Sequence, residues 1–471
     1  MALWRELPGK IEKLQNGFGG GVNTGLPPLQ IPENQATSIS NLIPKQGGAA
    51  TVRGGRSAYG LTLSAAGTLL GAQDTTRLIA GAAATLYYWN GSAWTSLGAG
   101  FTSGAAWDYC SFMGYTWLVN GYEARKLTGT TLSTIGGSPP AGATFVKPHA
   151  NRLFMLVNKR LSHSALRKGE DWTTAQDSGY IDMEPPNGEN ASALAVFGGK
   201  VIVFFDHSFY ELYGTGPDNF AMIQASNQVG CIAHRTIQEI RGRLYWLGAD
   251  GVYRFAGGVA PQKILQSIKG STFDPIQSQI ASLNWSQRTK ANAAVLDDWY
   301  ILAIPTGTNT ECDTVLIYDT ISNTWWPGDL GGIYPRQFVS FNDALYAIDS
   351  TGLAHQVYTG TTDGGTAISW KWVTKALTEG GFSPQDVLRV FQVAELPTGS
   401  TLSLAVSSLV EGDTDWTTIG SMTAASGYQK QRFTFLPNQA ANKTWLRMKV
   451  SGTGPATLHE LVREVRIKPW V

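Results

Sequence analysis

The acidic residues are the first to test for chemistry, because hydrolysis of a glycosidic bond needs two carboxylates that face the same bond. Residues 297 and 298 are both aspartate, but adjacent side chains on a β-strand point to opposite faces and cannot form such a pair. Two further dipeptides, Asp108-Tyr109 and Asp206-His207, could form polar clusters. Aspartates of this kind more often cap a loop or a turn, so the sequence predicts no glycosidase site.

Histidine and cysteine, the usual ligands of transition metals, are few and widely spaced. No two histidines lie four residues apart, the spacing that brings two ring nitrogens to one face of a helix. The three cysteines are too far apart to form a disulfide framework or a zinc site, and each is predicted to be a small buried side chain. The histidines are His149, His163, His207, His234, His355 and His459, and the cysteines are Cys110, Cys231 and Cys312.

Motifs for a nucleophile or a phosphate-binding loop are also missing. The sequence has no Gly-x-Ser-x-Gly elbow. Residues 196–200 (VFGGK) lack the spaced first glycine of a phosphate loop and the hydroxyl residue after its lysine. We therefore predict that the chain is not an enzyme and has no catalytic, cofactor-binding or metal-binding residues.

The charge balance argues against a conventional nucleic-acid binder. The chain has 471 residues with 36 Lys+Arg against 35 Asp+Glu, so its formal net charge is +1, whereas such binders are basic. Two local groups of cations are therefore predicted to form ion pairs or interfaces. One group is Arg235, Arg241 and Arg243, and the other is Lys159, Arg160, Arg167 and Lys168. A protein that lets DNA slide past would avoid strong phosphate contacts, because each contact adds affinity and so hinders movement. A balanced charge is compatible with that role.

The elements that would position any site are β-strands. Hydrophobic residues make 43% of the chain and aromatic residues 11%, which excludes disorder. Apolar runs in residues 61–366 centre near 87, 117, 154, 203, 246, 301 and 346, a spacing typical of four-stranded propeller blades. We predict an all-β fold with a β-propeller there, and a large antiparallel sandwich is the alternative. Asn90-Gly91, Asn120-Gly121 and Asp250-Gly251 predict hairpins with type I′ turns.

Two different segments flank the predicted propeller. Residues 1–60 are rich in glycine and proline and are predicted to form an extended N-terminal arm, with one short helical turn within 33–42, that docks on its own domain or on a neighbouring subunit. Residues 367–471 alternate with a period of two and are predicted to form a C-terminal β-sandwich-like domain. The best helix candidates are residues 274–283 and 383–388.

Signals for membranes or secretion are not recognised in the sequence. No run approaches the roughly 18–20 apolar residues of a spanning helix. The start, MALWRELP, lacks a basic region followed by an apolar one. The expectation is synthesis in the cytoplasm and no membrane partner.

A carbohydrate-binding or carbohydrate-active propeller is the main alternative function. Residues 361–368 resemble a sialidase box but lack its final threonine and tryptophan, and residues 318–325 resemble one kelch-type blade edge. A sugar platform would need exposed tryptophans, for which Trp89, Trp94, Trp325 and Trp326 are the candidates.

Four stretches of the chain carry a resemblance to a known family. They are residues 18–23 (FGGGVN) with 41–44 (NLIP), 47–48 and 53–55 (RGG); 151–154 (NRLF) with 162–164 (SHS) and 170–172 (EDW); 197–205 (FGGKVIVFF) with 208–216 (SFYELYGTG); and 230–235 (GCIAHR) with 247–255 (LGADGVYRF). In their order, in chain length and in the run to residues 465–467 (VRI), the chain resembles the tail hub or nozzle proteins of short-tailed bacteriophages, also called packaged-DNA stabilisation proteins.

The resemblance implies a structural virion protein. Such a subunit would assemble into a ring-shaped homo-oligomer, a homohexamer, below the portal and adaptor in the viral tail. The ring would extend the DNA channel, contact packaged DNA transiently, retain it and open for genome ejection. The task is mechanical, so no catalytic residue carries over from the family.

Overall fold

The computed structural model describes residues 10–15, 17–258, 260–268, 271–378, 383–437 and 443–468. The fold is nearly all β, with 51% strand and 3% helix. The short helical segments are the α-helix Gln277–Ala281 and the 3-10 helices His234–Thr236 and Trp285–Lys290. One two-stranded hairpin, Gln266–Ile268 with Ser271–Phe273, stands outside the larger sheets.

Within the described residues, seven antiparallel sheets, here called blades 1 to 7, follow one another along the chain and give a β-propeller-like fold. Blade 1 comprises Gly67–Ala72, Leu78–Ala82, Thr85–Trp89 and Trp94–Ala99; blade 2, Asp108–Phe112, Tyr115–Val119, Ala124–Thr128 and Thr131–Thr134; blade 3, Phe145–His149, Arg152–Val157, Arg160–His163 and Gly179–Asp182; blade 4, Ala193–Phe197, Lys200–Phe204, Phe209–Tyr213 and Ala221–Ser226. Blade 5 comprises Gln238–Ile240, Arg243–Leu247, Val252–Phe255 and Gln262–Lys263; blade 6, Asn292–Leu296, Trp299–Ile304, Thr314–Asp319 and Thr324–Gly328; blade 7, Pro335–Phe341, Ala344–Asp349, Ala354–Thr359 and Gly55–Tyr59, with Thr362–Asp363 and Thr366–Ala367 beyond them.

The first strand of each blade lies at the centre of the ring. These strands crowd together, and small residues make room for that. A Cβ on Gly71 of blade 1 would lie 2.5 Å from the ring of Tyr109 in blade 2. Instead the Ala72 N–H donates a hydrogen bond to the Tyr109 hydroxyl at 3.1 Å, which joins the first two blades.

The ring is closed by a strand from the start of the chain. Gly55–Tyr59 pairs antiparallel with Ala354–Thr359 as the fourth strand of blade 7. The approach is close enough that a Cβ on Gly55 would meet the Thr362 carbonyl oxygen at 1.9 Å. Just before this strand, buried Arg53 donates two hydrogen bonds to Asp363, at 2.9 and 2.7 Å. This bidentate pair fixes the closing strand where the two ends of the ring meet.

A two-sheet unit contains the other large sheets of the described structure. One sheet has the order Leu42–Lys45, Ala49–Val52, Thr457–Ile467, Gln385–Leu396, Tyr428–Phe435, with Lys10–Gln15 also paired to Thr457–Ile467; the other has the order Ala36–Ser40, Ser369–Thr374, Arg447–Thr453, Thr401–Ser407, Thr417–Thr423. Both sheets contribute to one hydrophobic core, in which Val390 of the first sheet and Trp372 of the second are buried. The ring of Phe18 packs edge-on against Trp372 at 5.0 Å.

Several strands fall within the first sixty residues. Lys10–Gln15 and the strands between residues 36 and 52 belong to the two-sheet unit, and Gly55–Tyr59 belongs to blade 7. The expected helical turn within 33–42 is replaced by the strand Ala36–Ser40, because this segment pairs with Ser369–Thr374. Both larger units thus use residues from outside the ranges 61–366 and 367–471.

The two other helix predictions had different outcomes. The helix expected within 274–283 is confirmed in part, as the short helix Gln277–Ala281. The helix expected at 383–388 is wrong, since the strand Gln385–Leu396 begins there. Pairing with Thr457–Ile467 outweighs the weak helical preference of so short a segment.

The predicted hairpins exist, but the prediction of type I′ turns is wrong. Asn90 leads a four-residue loop in which its Oδ1 accepts hydrogen bonds from the backbone N–H groups of Ser92 and Ala93, both at 2.9 Å. A type I′ turn needs two consecutive positive φ values, which the Asn-Gly and Asp-Gly pairs lack. Such values occur instead between first and second strands, for example at Ala150 (φ 46°) and Asn151 (φ 56°).

Candidate functional site

Two depressions lie at the axis of the propeller. The residues that precede or begin the first strands line a depression of about 800 Å³, here called the upper mouth. The residues further along the same strands line a second depression of about 540 Å³, the lower mouth. Trp107, Asp108, His234 and Arg235 border both, so they form the partition between the two mouths.

Ion pairs cover the wall of the upper mouth. Arg288 contacts Asp206 at 2.9 Å. Glu311 lies between two cations: it accepts a hydrogen bond from Lys290 Nζ at 3.1 Å and one from Arg336 Nε at 2.8 Å. These side chains are 20 to 28% exposed, so solvent weakens each pair only in part.

Arg235 closes the axis. Its guanidinium donates hydrogen bonds to three main-chain carbonyls, those of Thr68 in blade 1 at 2.6 Å, Trp107 before blade 2 at 3.2 Å and Arg336 in blade 7 at 3.1 Å. Burial lowers the pKa of Arg235 to about 10, and nearby Asp108 offsets part of that effect. The side chain remains charged at neutral pH and ties together blades that are far apart in sequence.

A charged network lies beside Arg235. Lys147 Nζ donates to both carboxylate oxygens of Asp108, at 2.9 and 3.0 Å, and His234 Nε2 lies 3.1 Å from Asp108 Oδ1. Burial alone would raise the pKa of Asp108, but Lys147 and His234 outweigh it and lower that pKa well below its usual range. Burial lowers the pKa of His234, and the neighbouring Asp108 opposes that effect. The network is an internally satisfied ion pair that stabilises the partition.

The acidic dipeptides singled out in the sequence have structural partners. Asp108 was expected to cap a loop or a turn; it is instead the first residue of a strand and the centre of the network just described. Asp206 pairs with Arg288, and His207 Nδ1 lies 2.6 Å from Glu189. Asp298 pairs with Arg241, its Oδ2 accepting a hydrogen bond at 2.8 Å.

Two of the four candidate sugar-binding tryptophans lie in the core. Trp325 and Trp326 are buried at 1% and 0% exposure in blade 6. Trp89 and Trp94 belong to blade 1 and are half-buried; their rings pack edge-on against each other at 5.3 Å. A sugar needs an exposed aromatic face, which Trp325 and Trp326 cannot offer.

The remaining sequence predictions concern metals and membranes. Each of the three cysteines is buried and free, as predicted. Among the residues that the structure describes, no three His, Cys, Asp or Glu side chains gather as they would around a metal ion. In the same residues, no helix has both the length and the apolar character needed to cross a bilayer.

The cations of the upper mouth were only partly recognised in the sequence. The sequence predicts an ion-pairing or interface role for Arg235, but it gives no prediction for Arg288, Lys290 or Arg336. All four precede or begin the first strand of blade 5, 6 or 7. Their common position relative to the blade repeat is the signal that could have identified them.

Comparison with known proteins gives little beyond the fold. No protein-family model and no curated protein matches this chain. Among solved structures it is similar to a catalytically inactive virginiamycin B lyase from Staphylococcus aureus (9% identity, 64% of this chain and 98% of that one, TM-score 0.43). It is also similar to PorZ from Porphyromonas gingivalis (12% identity, 88% of this chain and 63% of that one, TM-score 0.42). A third similar structure is the extracellular domain of BT4673 from B. thetaiotaomicron (9% identity, 88% of this chain and 61% of that one, TM-score 0.46). The fold assignment rests on the strand pairing.

Proposed function

We propose that this chain is a structural subunit of a phage tail, which forms the nozzle or hub ring below the portal and adaptor. The ring is a homo-oligomer, a hexamer, that extends the DNA channel, retains packaged DNA and opens for ejection. The chain is synthesised in the host cytoplasm and resides in the virion tail. This role needs no catalytic residue.

The observation that carries the ring arrangement is the closed axis of the propeller. Arg235 spans it with hydrogen bonds to Thr68, Trp107 and Arg336, so DNA cannot pass through a single subunit. A channel must then lie between copies, as in a closed ring built from one heterologous contact repeated around an axis.

The positions of the resembling stretches support a mechanical role. Residues 18–23 and 53–55 contact the propeller: the Val22 N–H donates to the Trp325 carbonyl of blade 6 at 2.8 Å, and Arg53 donates to Asp363 of blade 7 at 2.9 and 2.7 Å. Residues 230–235 lead into the partition. These stretches therefore hold the subunit rigid, which a load-bearing ring requires.

Immunogold electron microscopy of particles from the source lysate tests the proposal. We expect antibody against this chain to label one vertex of the particle, at the tail, and pre-immune serum to leave that vertex unlabelled. Labelling of no particle at all would overturn the proposal. Titration of tryptophan fluorescence with a glycan panel tests the carbohydrate alternative, for which a spectral change on binding is required.

A further inference from the structure

The upper mouth brings cations together from three blades. Arg235, Arg288, Lys290 and Arg336 all border it. They are contiguous, because Arg235 donates to the main-chain carbonyl of Arg336 at 3.1 Å, and Arg336 and Lys290 share the carboxylate of Glu311.

Carboxylates in contact with this group offset only part of its charge. Asp206 pairs with Arg288, and Glu311 serves two cations at once. Among the described residues, the hydrogen bonds of the Arg235 guanidinium go to carbonyl oxygens alone. Two carboxylates, those of Asp206 and Glu311, therefore contact these four cations directly. Asp108 and Glu189 also line the mouth, but Asp108 pairs with Lys147, and Glu189 lies beside His207.

One N–H donor in the wall of the mouth has no acceptor among the described residues. Arg288 Nε is buried and has no hydrogen-bond partner within the described structure. Because buried donors are normally paired, this group indicates that an acceptor from outside the chain completes the site.

We propose that the upper mouth binds a phosphate group, either free or carried on a small molecule. A phosphate group has a charge of about −1.5 to −2 at pH 7, which complements the cations that this wall gathers from three blades. Guanidinium groups donate paired hydrogen bonds to phosphate oxygens. The depression of about 800 Å³ is large enough for a phosphorylated small molecule. This site goes beyond the proposed tail function and does not depend on it.

Calorimetric titration of the full-length chain with inorganic phosphate, at pH 7 and low ionic strength, tests the site. We expect saturable binding that acetate at equal ionic strength does not reproduce. Lys290→Gln should weaken phosphate binding at least fivefold. Glu311→Gln should strengthen it severalfold, because it releases Lys290 and Arg336 from their shared carboxylate.

The matched control is Arg241→Gln. Arg241 is an exposed cation in the turn between the first and second strands of blade 5, beyond the lower mouth, where it pairs with Asp298. This variant should bind phosphate like the wild type. Equal binding by all four proteins, equal heats for acetate and phosphate, or the absence of saturable heat would each overturn the proposal.

A mononucleoside monophosphate distinguishes the two sources of the phosphate. Tighter binding than inorganic phosphate, with the same response to Lys290→Gln and Glu311→Gln, would support a phosphate carried on a small molecule. Weaker binding would support free phosphate. Binding of the nucleotide without any response to these variants would place it elsewhere and contradict the site.

Discussion

The two mouths of the propeller are lined by different parts of the innermost strands. The upper mouth takes its lining mainly from residues that precede or begin these strands, and Arg288, Lys290 and Arg336 occur in this lining alone. The lower mouth is lined by residues inside the strands, where apolar side chains such as Val196 and Val339 lie beside polar ones such as Gln238. Position along a blade therefore separates a cation-rich mouth from a mixed one, because loops at strand ends tolerate clusters of charge more readily than packed strands do.

Loss of the partition residue Arg235 should have the largest effect on the free energy of unfolding. Arg235→Met leaves three carbonyls without their donor, and we expect it to lower the free energy of unfolding by about 3–5 kcal/mol. Denaturation in urea, followed by tryptophan fluorescence, measures the change. Arg241→Met is the control, because Arg241 is exposed and its loss should leave the unfolding midpoint nearly unchanged. A loss below about 1 kcal/mol for Arg235→Met would show that the carbonyls find other donors.

The ion pair beside the partition should have a smaller, pH-dependent effect. Asp108→Asn removes the partner of Lys147, and we expect a loss of about 2 kcal/mol at pH 7, reduced by the partial exposure of Lys147. Folding lowers the pKa of Asp108, so its carboxylate stabilises the protein above the unfolded-state pKa of about 3.9. That contribution is lost as the pH falls toward the folded pKa.

Unfolding curves of both proteins between pH 3 and pH 7 check this prediction. The gap between wild type and Asp108→Asn should be constant near neutrality and should narrow below about pH 4. Asp182→Asn, which breaks the exposed pair with Arg160 in blade 3, should change stability much less. A gap that is independent of pH would contradict the assigned role of the Asp108 carboxylate.

The strands could be predicted from the sequence because their signal is local. Six of the seven predicted strand centres lie in the second strand of a blade, where buried residues such as those of Arg243–Leu247 are dense. The centre near 87 lies in the third strand of blade 1. The second strand there, Leu78–Ala82 (LIAGA), is buried throughout. It has no aromatic residue, so its apolar signal in the sequence is weaker than that of the third strand.

The closure and the candidate site could not be predicted in this way. Gly55–Tyr59 pairs with Ala354–Thr359, and nothing in either segment identifies a partner about three hundred residues away. In the same way, Arg235 and Asp108 look like ordinary loop residues until the ring brings blades 2, 3 and 5 to one axis. Local patterns therefore predicted the elements, whereas the site depends on how the ring closes.

The smallest expected effect concerns the charged wall of the upper mouth. Lys290→Gln removes a pair that is partly exposed, at 28% for Lys290 and 22% for Glu311, and should cost about 0.5 kcal/mol at low salt. Val339→Ala in the lower mouth removes two buried carbon groups and should cost about 1.5 kcal/mol. Sodium chloride at about 1 M shortens the Debye length to about 3 Å, so only the Lys290 effect should disappear. Equal salt dependence of the two variants, measured by urea denaturation, would contradict the distinction between the charged wall of the upper mouth and the apolar contact at Val339.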